Sequence, residues 1–184
     1  MKLKEFNFRD LDKKIILLND KNLISNTDIT IPYYGIIYID HNNGISLRIV
    51  NDNNNSYIVG EGYIFRYKDI ENIDIEFKDN INDKNLIDMW VNNYYKDEDI
   101  IKTRDLKQLD KFRLESNPDI INITFTKDNK EEKVWSKIIG YTDEGIVCSL
   151  INNCKLYKLD KSTTVVVNYD EDKNIVEVIG RIDL

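Results

Sequence analysis

The 184-residue chain contains no alanine, two prolines, two cysteines, seven glycines and a single histidine. Each scarcity removes a class of protein. Two cysteines cannot frame a disulfide scaffold, and so little Gly and Pro excludes collagen-like and low-complexity chains. No apolar run approaches the roughly 18 residues of a membrane-spanning helix; the first apolar cluster is only Ile15 to Leu18. What remains is ordinary globular composition, 41% hydrophobic and 32% charged. A chain of this size buries roughly 70% of its unfolded surface, so it builds a core without metals or cross-links. The absence of Ala beside abundant Ile, Asn, Lys and Asp is the mark of AT-rich coding and says little about function.

With 33 acidic against 26 basic side chains the net charge is -7. The signs are interspersed: Lys68-Asp69, Lys78-Asp79 and Arg104-Asp105 each set a base beside an acid. A phosphate-binding surface needs a dense basic stripe, so nucleic acid is not expected as a partner. The excess acid serves solubility, or else matches a basic partner. The first residues, Met1-Lys2-Leu3-Lys4-Glu5-Phe6, do not read as a signal peptide, and a cytoplasmic protein without membrane attachment is expected.

Strand signals open the chain's organisation. Gly35 to Asp40 and Ile45 to Val50 flank His41-Asn42-Asn43-Gly44, whose Asn-Gly pair suits a tight hairpin turn. A polar loop at Asp52 to Asn55, short strands at Tyr57 to Val59 and Tyr63 to Tyr67, and clean alternation from Ile73 to Phe77 follow. Over 83–95 the period changes: Ile87, Trp90, Val91 and Tyr94 share one helical face, with Asp83 placed as N-cap. A second helix is expected to start at Asp97-Glu98-Asp99, carry Ile101, Leu109 and Phe112 on one stripe, and stop at Asn117-Pro118. Strands return at Ile120 to Phe125, at Val134 to Ile139 and Ile146 to Ile151 around the turn Thr142-Asp143-Glu144-Gly145, and at Thr163 to Tyr169 and Ile175 to Ile182. The last is expected as an edge or closing strand.

Offsetting the chain by 101 residues sets Gly44-Ile45 on Gly145-Ile146, Ile64-Phe65 on Val165-Val166 and Asp69 on Asp170. Internal duplication is one reading; chance matching in an Ile- and Asn-rich chain is the other. The expected fold is α+β, mostly β: two small antiparallel twisted sheets, compatible with SH3-like barrels, joined by two helices. The boundaries read as an amino-terminal β module over 1–80, a helical connector over 81–117 and a carboxyl-terminal β module over 118–184, with one compact domain as the alternative.

The stretch from Glu132 to Asp172 carries Val134-Trp135-Ser136-Lys137-Ile138, then Gly145-Ile146-Val147-Cys148-Ser149-Leu150-Ile151-Asn152, then Leu159 and Val165 to Val167. In this it resembles a small bacterial domain family of unknown molecular function, related to the immunity proteins of polymorphic toxin systems. Cys148 and Cys154 depart from that pattern, standing where a Gly and a Pro are expected, and the family's Gly-Asp pair is replaced near Lys161-Ser162. Gly60-Glu61-Gly62-Tyr63-Ile64-Phe65 with Asp69-Ile70 keeps the later part better. The motif consists of turns and core positions, so the resemblance implies a fold and toxin neutralisation, and transfers no catalytic residue.

Chemistry is sparse. His41 lies beside a hairpin turn with no nucleophile-base set to assemble around it, and Gly-x-Ser-x-Gly is absent. Cys148 and Cys154 lack a second pair or a nearby His for zinc, and Cys148 reads as a core residue. Gly60-Glu61-Gly62 is no dinucleotide fingerprint, and neither Asp52 to Asn55 nor Asp170-Glu171-Asp172 has calcium-loop spacing. No metal, cofactor or catalytic residue is therefore expected. The expectation is a non-enzymatic protein that binds another protein, such as a basic toxin, by steric block. Asp143 and Glu144 at one turn and Asp170, Glu171 and Asp172 at another would form its acidic patch, and the rival reading makes both solvated turns. Alternatively, a phage or mobile-element inhibitor of a host defence system would inhibit a nuclease, or sequester a nucleotide at Arg48, Arg66 and Tyr67.

Overall fold

The computed structural model describes residues 1–52, 63–78, 92–95 and 97–182. The chain divides into two compact units, Met1–Lys96 and Asp97–Leu184. Both are built on antiparallel sheet, and the fold is α+β and mostly β. The strand expected at Tyr57 to Val59, the Gly60-Glu61-Gly62 segment and the helical face of Ile87, Trp90 and Val91 lie outside the described residues. At the end of that stretch Asn92–Tyr94 form a 3₁₀ turn.

In the first unit five strands, β1 (Ile15–Leu18), β2 (Tyr33–Asp40), β3 (Gly44–Asp52), β4 (Ile64–Arg66) and β5 (Glu76–Phe77), lie in the order β4-β3-β2-β1-β5. One-turn helices α1 (Phe8–Leu11) and α2 (Tyr67–Ile70) accompany them, α2 falling between β4 and β5. The β2–β3 hairpin forms where expected, with Asp40 paired to Gly44. Of the Asn-Gly pair only Gly44 takes a positive φ, 77°. The turn is instead organised by the Asp40 carboxylate, which accepts from the backbone N–H of Asn42 at 2.9 Å and of Asn43 at 3.3 Å. Period two then sorts the strand: Ile45, Leu47 and Ile49 enter the main core with Leu3, Ile16, Tyr67 and Ile70, and Ser46, Arg48 and Val50 take the other face.

Gly35 sits at an irregularity in the β2–β3 pairing, and a Cβ there would strike the Leu47 side chain and come within 3.2 Å of the Arg48 carbonyl oxygen. Leu47 is fully buried, so it has nowhere to yield. Gly35→Ala is expected to destabilise the first unit by about 1–3 kcal/mol, measured as a shift of its urea midpoint at unchanged slope.

The second unit begins with α3 (Glu98–Arg104), capped by Asp97, whose carboxylate accepts from the N–H of Asp99 and Ile100, each at 3.2 Å. The expected long helix is not present. α3 ends after seven residues, a 3₁₀ segment occupies Lys107–Phe112, and the stripe Ile101, Leu109, Phe112 is broken: Ile100, Thr103 and Arg104 are the buried positions of α3. The cause lies in the strands beneath. Arg104 makes a two-pronged ion pair with Asp119, Nε to Oδ1 at 2.8 Å and Nη2 to Oδ2 at 2.7 Å, with both side chains buried. Arg113 donates to the carbonyls of Thr103 and Pro118, and takes up the helix's carboxyl-terminal end. Pro118 does not stop a helix; it stands near the start of a strand, where a missing N–H is tolerated. Residues 97–114, expected as part of a separate connector, thus pack as a piece of the second unit, and Leu109 enters its core.

Six strands follow: β6 (Arg113–Leu114), β7 (Asn117–Lys127), β8 (Lys130–Thr142), β9 (Gly145–Leu150), β10 (Thr164–Asp170) and β11 (Ile175–Ile182). They run in sequence order, and β11 also meets β7 in parallel at Glu177–Thr124, so β7 to β11 close into a small barrel. Ile121, Ile123, Val134, Ile138, Ile146, Cys148, Leu150, Val165, Val167 and Val176 point inward. Cys148 is a free, fully buried core thiol, pushed up to about 12 by that burial. The 101-residue offset matches two three-strand meanders, β2-β3-β4 and β8-β9-β10, each with a glycine opening its middle strand. The likeness stops there, since β5 pairs antiparallel with β1 whereas β11 meets β7 in parallel.

Candidate functional site

The β8–β9 hairpin closes at the Thr142–Gly145 pair, leaving Asp143 and Glu144 as a two-residue loop, both exposed. Gly145 adopts φ 149° and lies against β10, where Asn168 donates from Nδ2 to the Glu144 carbonyl at 3.1 Å. Two residues along, Asp170 starts the β10–β11 turn. Because Val167 pairs with Ile146, the two turns stand side by side at one end of the barrel. All five acids proposed from sequence are therefore brought together.

Their roles differ. Asp170 is held inside its own turn: its carboxylate accepts from the Lys173 N–H at 2.9 Å and faces the Lys173 ammonium at 3.1 Å. That backbone N–H first, and the ammonium second, keep its carboxyl below the ordinary range. Lys173 is shared with Glu177 at 2.7 Å, and its own pKa is raised by that bond and the one to Asp170. The projecting charges are Asp143, Glu144, Glu171 and Asp172, all exposed. Leading into the first turn, Ile139 and Tyr141 are each 40% exposed, which gives the acidic end an apolar and aromatic flank. Sequence reasoning did not single out Tyr141, one of eleven tyrosines; its position just before an acidic turn was the available signal.

Arg48 and Arg66 share one face of the sheet, but Tyr67 does not join them. The Arg66 guanidinium donates to Asp40 at 3.0 Å and to Ser46 Oγ at 2.8 Å. Burial raises the Asp40 pKa, but the Asn43 amide, the Asn42 N–H and Arg66 outweigh it and leave the carboxyl below its usual value. Arg48 is buried on the same face as Ser46, whereas the Tyr67 ring belongs to the core on the opposite face. His41 is half-buried in the β2–β3 turn. Elsewhere Glu132 accepts from the N–H groups of Lys155 at 3.0 Å and Leu156 at 2.6 Å and from the Cys154 thiol at 3.5 Å, clasping the β9–β10 connection to β8. Those two backbone donors lower its pKa. Among the described residues no group of three or more His, Cys, Asp or Glu is placed to hold a metal ion, and no helix is long and apolar enough to cross a membrane.

Comparison with protein-family models, curated proteins and solved structures returns no match to this chain.

Proposed function

We propose that this chain is a non-enzymatic binding protein that neutralises a basic protein, of the kind a toxin presents, by covering its surface. One observation carries the reading: two acidic turns stand side by side at one barrel end, flanked by exposed Tyr141 and Ile139. Projecting carboxylates draw in a basic partner over a Debye length, and an aromatic beside them is the side chain that anchors an interface once water is expelled. The resemblance of Glu132 to Asp172 to an immunity-associated family points the same way, since both turns fall within it. An inhibitor of a defence nuclease would use the same face. Nucleotide sequestration is disfavoured, because Arg66 already spends its charge on Asp40.

The test is capture of a partner from the native host, followed by association kinetics with the purified pair. Replacing Asp143, Glu144, Glu171 and Asp172 together by Lys is expected to slow association by on the order of tenfold or more at low salt, with little effect at high salt. Tyr141→Ala is expected to speed dissociation instead. A partner whose binding is indifferent to both changes would refute the assignment of this face.

A further inference from the structure

Among the described residues, the end of the barrel away from the acidic turns is open. β7 and β11 meet only at Thr124–Glu177. Beyond that bridge Phe125 to Lys127 pair with β8 alone, and Val178 to Ile182 pair with β10 alone. Among the described residues, two parallel strands thus run on with facing edges that have no strand between them. The gap is a groove of about 360 Å³, at the lower end of the range for ligand sites. Its walls include Phe125, Leu159, Val165, Val178 and Ile179, so the floor is the apolar interior of the barrel. Ile179 is 54% exposed at the lip.

A tyrosine occupies part of the missing strand's place. Tyr157, 44% exposed, donates its hydroxyl to the Thr126 carbonyl at 2.6 Å, and its ring lies 5.7 Å from that of Phe125. A side chain is satisfying a backbone group that a neighbouring strand would ordinarily satisfy. Among the described residues Arg181 is the one charged residue lining the groove, and the Lys127 ammonium stands 5.4 Å from the Tyr157 ring centroid.

We propose that this groove accepts an extended segment of a partner protein as an added β-strand between β7 and β11, with apolar side chains directed into the barrel and acidic ones toward Arg181 and Lys127. Backbone pairing with two open edges supplies affinity, alternate side-chain positions supply selection for apolar residues, and Arg181 with Lys127 favours acid over base. The inference is independent of the acidic end and uses none of its residues.

The full-length ¹⁵N-labelled protein would be titrated with a pool of acetylated seven-residue peptides that alternate Glu with Val, Ile, Leu or Phe. The expected result is saturable movement of the Phe125, Thr126, Ile179 and Gly180 amide signals. Replacing every Glu of the pool by Lys is expected to weaken binding at least tenfold, and N-methylation of alternate peptide bonds is expected to abolish it. Tyr157→Phe, which releases the Thr126 carbonyl, is expected to tighten binding severalfold, and Arg181→Glu to weaken it. Wild-type protein that shows no saturable response at those amides at millimolar peptide overturns the proposal. Equal binding of the N-methylated pool also overturns it, by making the groove a pocket for apolar groups and not a strand site. Repeating the titration with the four-lysine variant of the acidic turns separates the two ends: an unchanged response supports the groove, and a lost response overturns its independence.

Discussion

Asp119→Ala is expected to cost the second unit about 3–5 kcal/mol, a large share of the roughly 5–15 kcal/mol that holds a domain together. The loss comes from what it leaves behind. Arg104 is only 6% exposed at its side chain and Asp119 not at all, so removing the carboxylate strands a guanidinium in a site with little water. Arg104→Ala is expected to do the same with the opposite sign. The pair replaced together by apolar residues of similar volume, Arg104→Met with Asp119→Leu, is expected to recover most of the loss, because the attraction within a buried pair roughly offsets its desolvation. Urea unfolding followed by amide signals assigned to each unit is the measurement. Only the transition of residues 97–182 should move, and a double-mutant cycle should show strong coupling. If the single and double changes cost the same, the pair contributes nothing beyond its packing.

The second large effect is expected at Gly145. A Cβ there would sit 2.6 Å from both the Val167 carbonyl oxygen and the Asn168 Oδ1, at a φ of 149° that side chains of L residues rarely adopt. Strain and overpacking together put Gly145→Ala at about 2–4 kcal/mol of destabilisation. Gly140→Ala makes an internal control in the same sheet, since its nearest neighbour would be the Val147 Cβ at an ordinary 3.8 Å. Asn168→Ala in the Gly145→Ala background is expected to recover only part of the loss, because the Val167 carbonyl is backbone and remains. Thermal unfolding of the four proteins tests this, and a full recovery would show that the side chain alone sets the constraint.

These two sites mark the range of what the sequence makes legible. Gly145 was visible: a glycine after Thr-Asp-Glu between two alternating runs means a turn, and the hairpin forms at that place. The alternation that assigns Ile45, Leu47 and Ile49 to one face is equally local, since period two needs no knowledge of distant chain. Arg104 was not legible, because Arg104-Asp105 looks like any surface pair of alternating charge. Its partner is Asp119, fifteen residues on, and only the docking of α3 on the barrel brings the two together. That same docking cut the expected helix short and left Pro118 to begin a strand. The acidic turns were legible as residues and as turns, but their adjacency depends on the β9–β10 register. Tyr67 stands apart from Arg48 and Arg66 for a related reason. Neighbours in sequence at a strand end need not share a face, and Asp40, on another strand, had the stronger claim on Arg66.

The Glu132 clasp has a consequence for acid tolerance. A carboxylate whose pKa is depressed in the folded chain adds stability above its unfolded pKa and surrenders it as the solution is acidified through the lower, folded one. What is surrendered here is a tether, not a core. Protonation weakens the oxygens that accept from the backbone N–H groups of Lys155 and Leu156, and the tether lies in the segment that carries Tyr157 to the Thr126 carbonyl. Acidification through that range is therefore expected to loosen the loop that carries Tyr157 over the open strand edges, tying proton concentration to access at that mouth of the barrel.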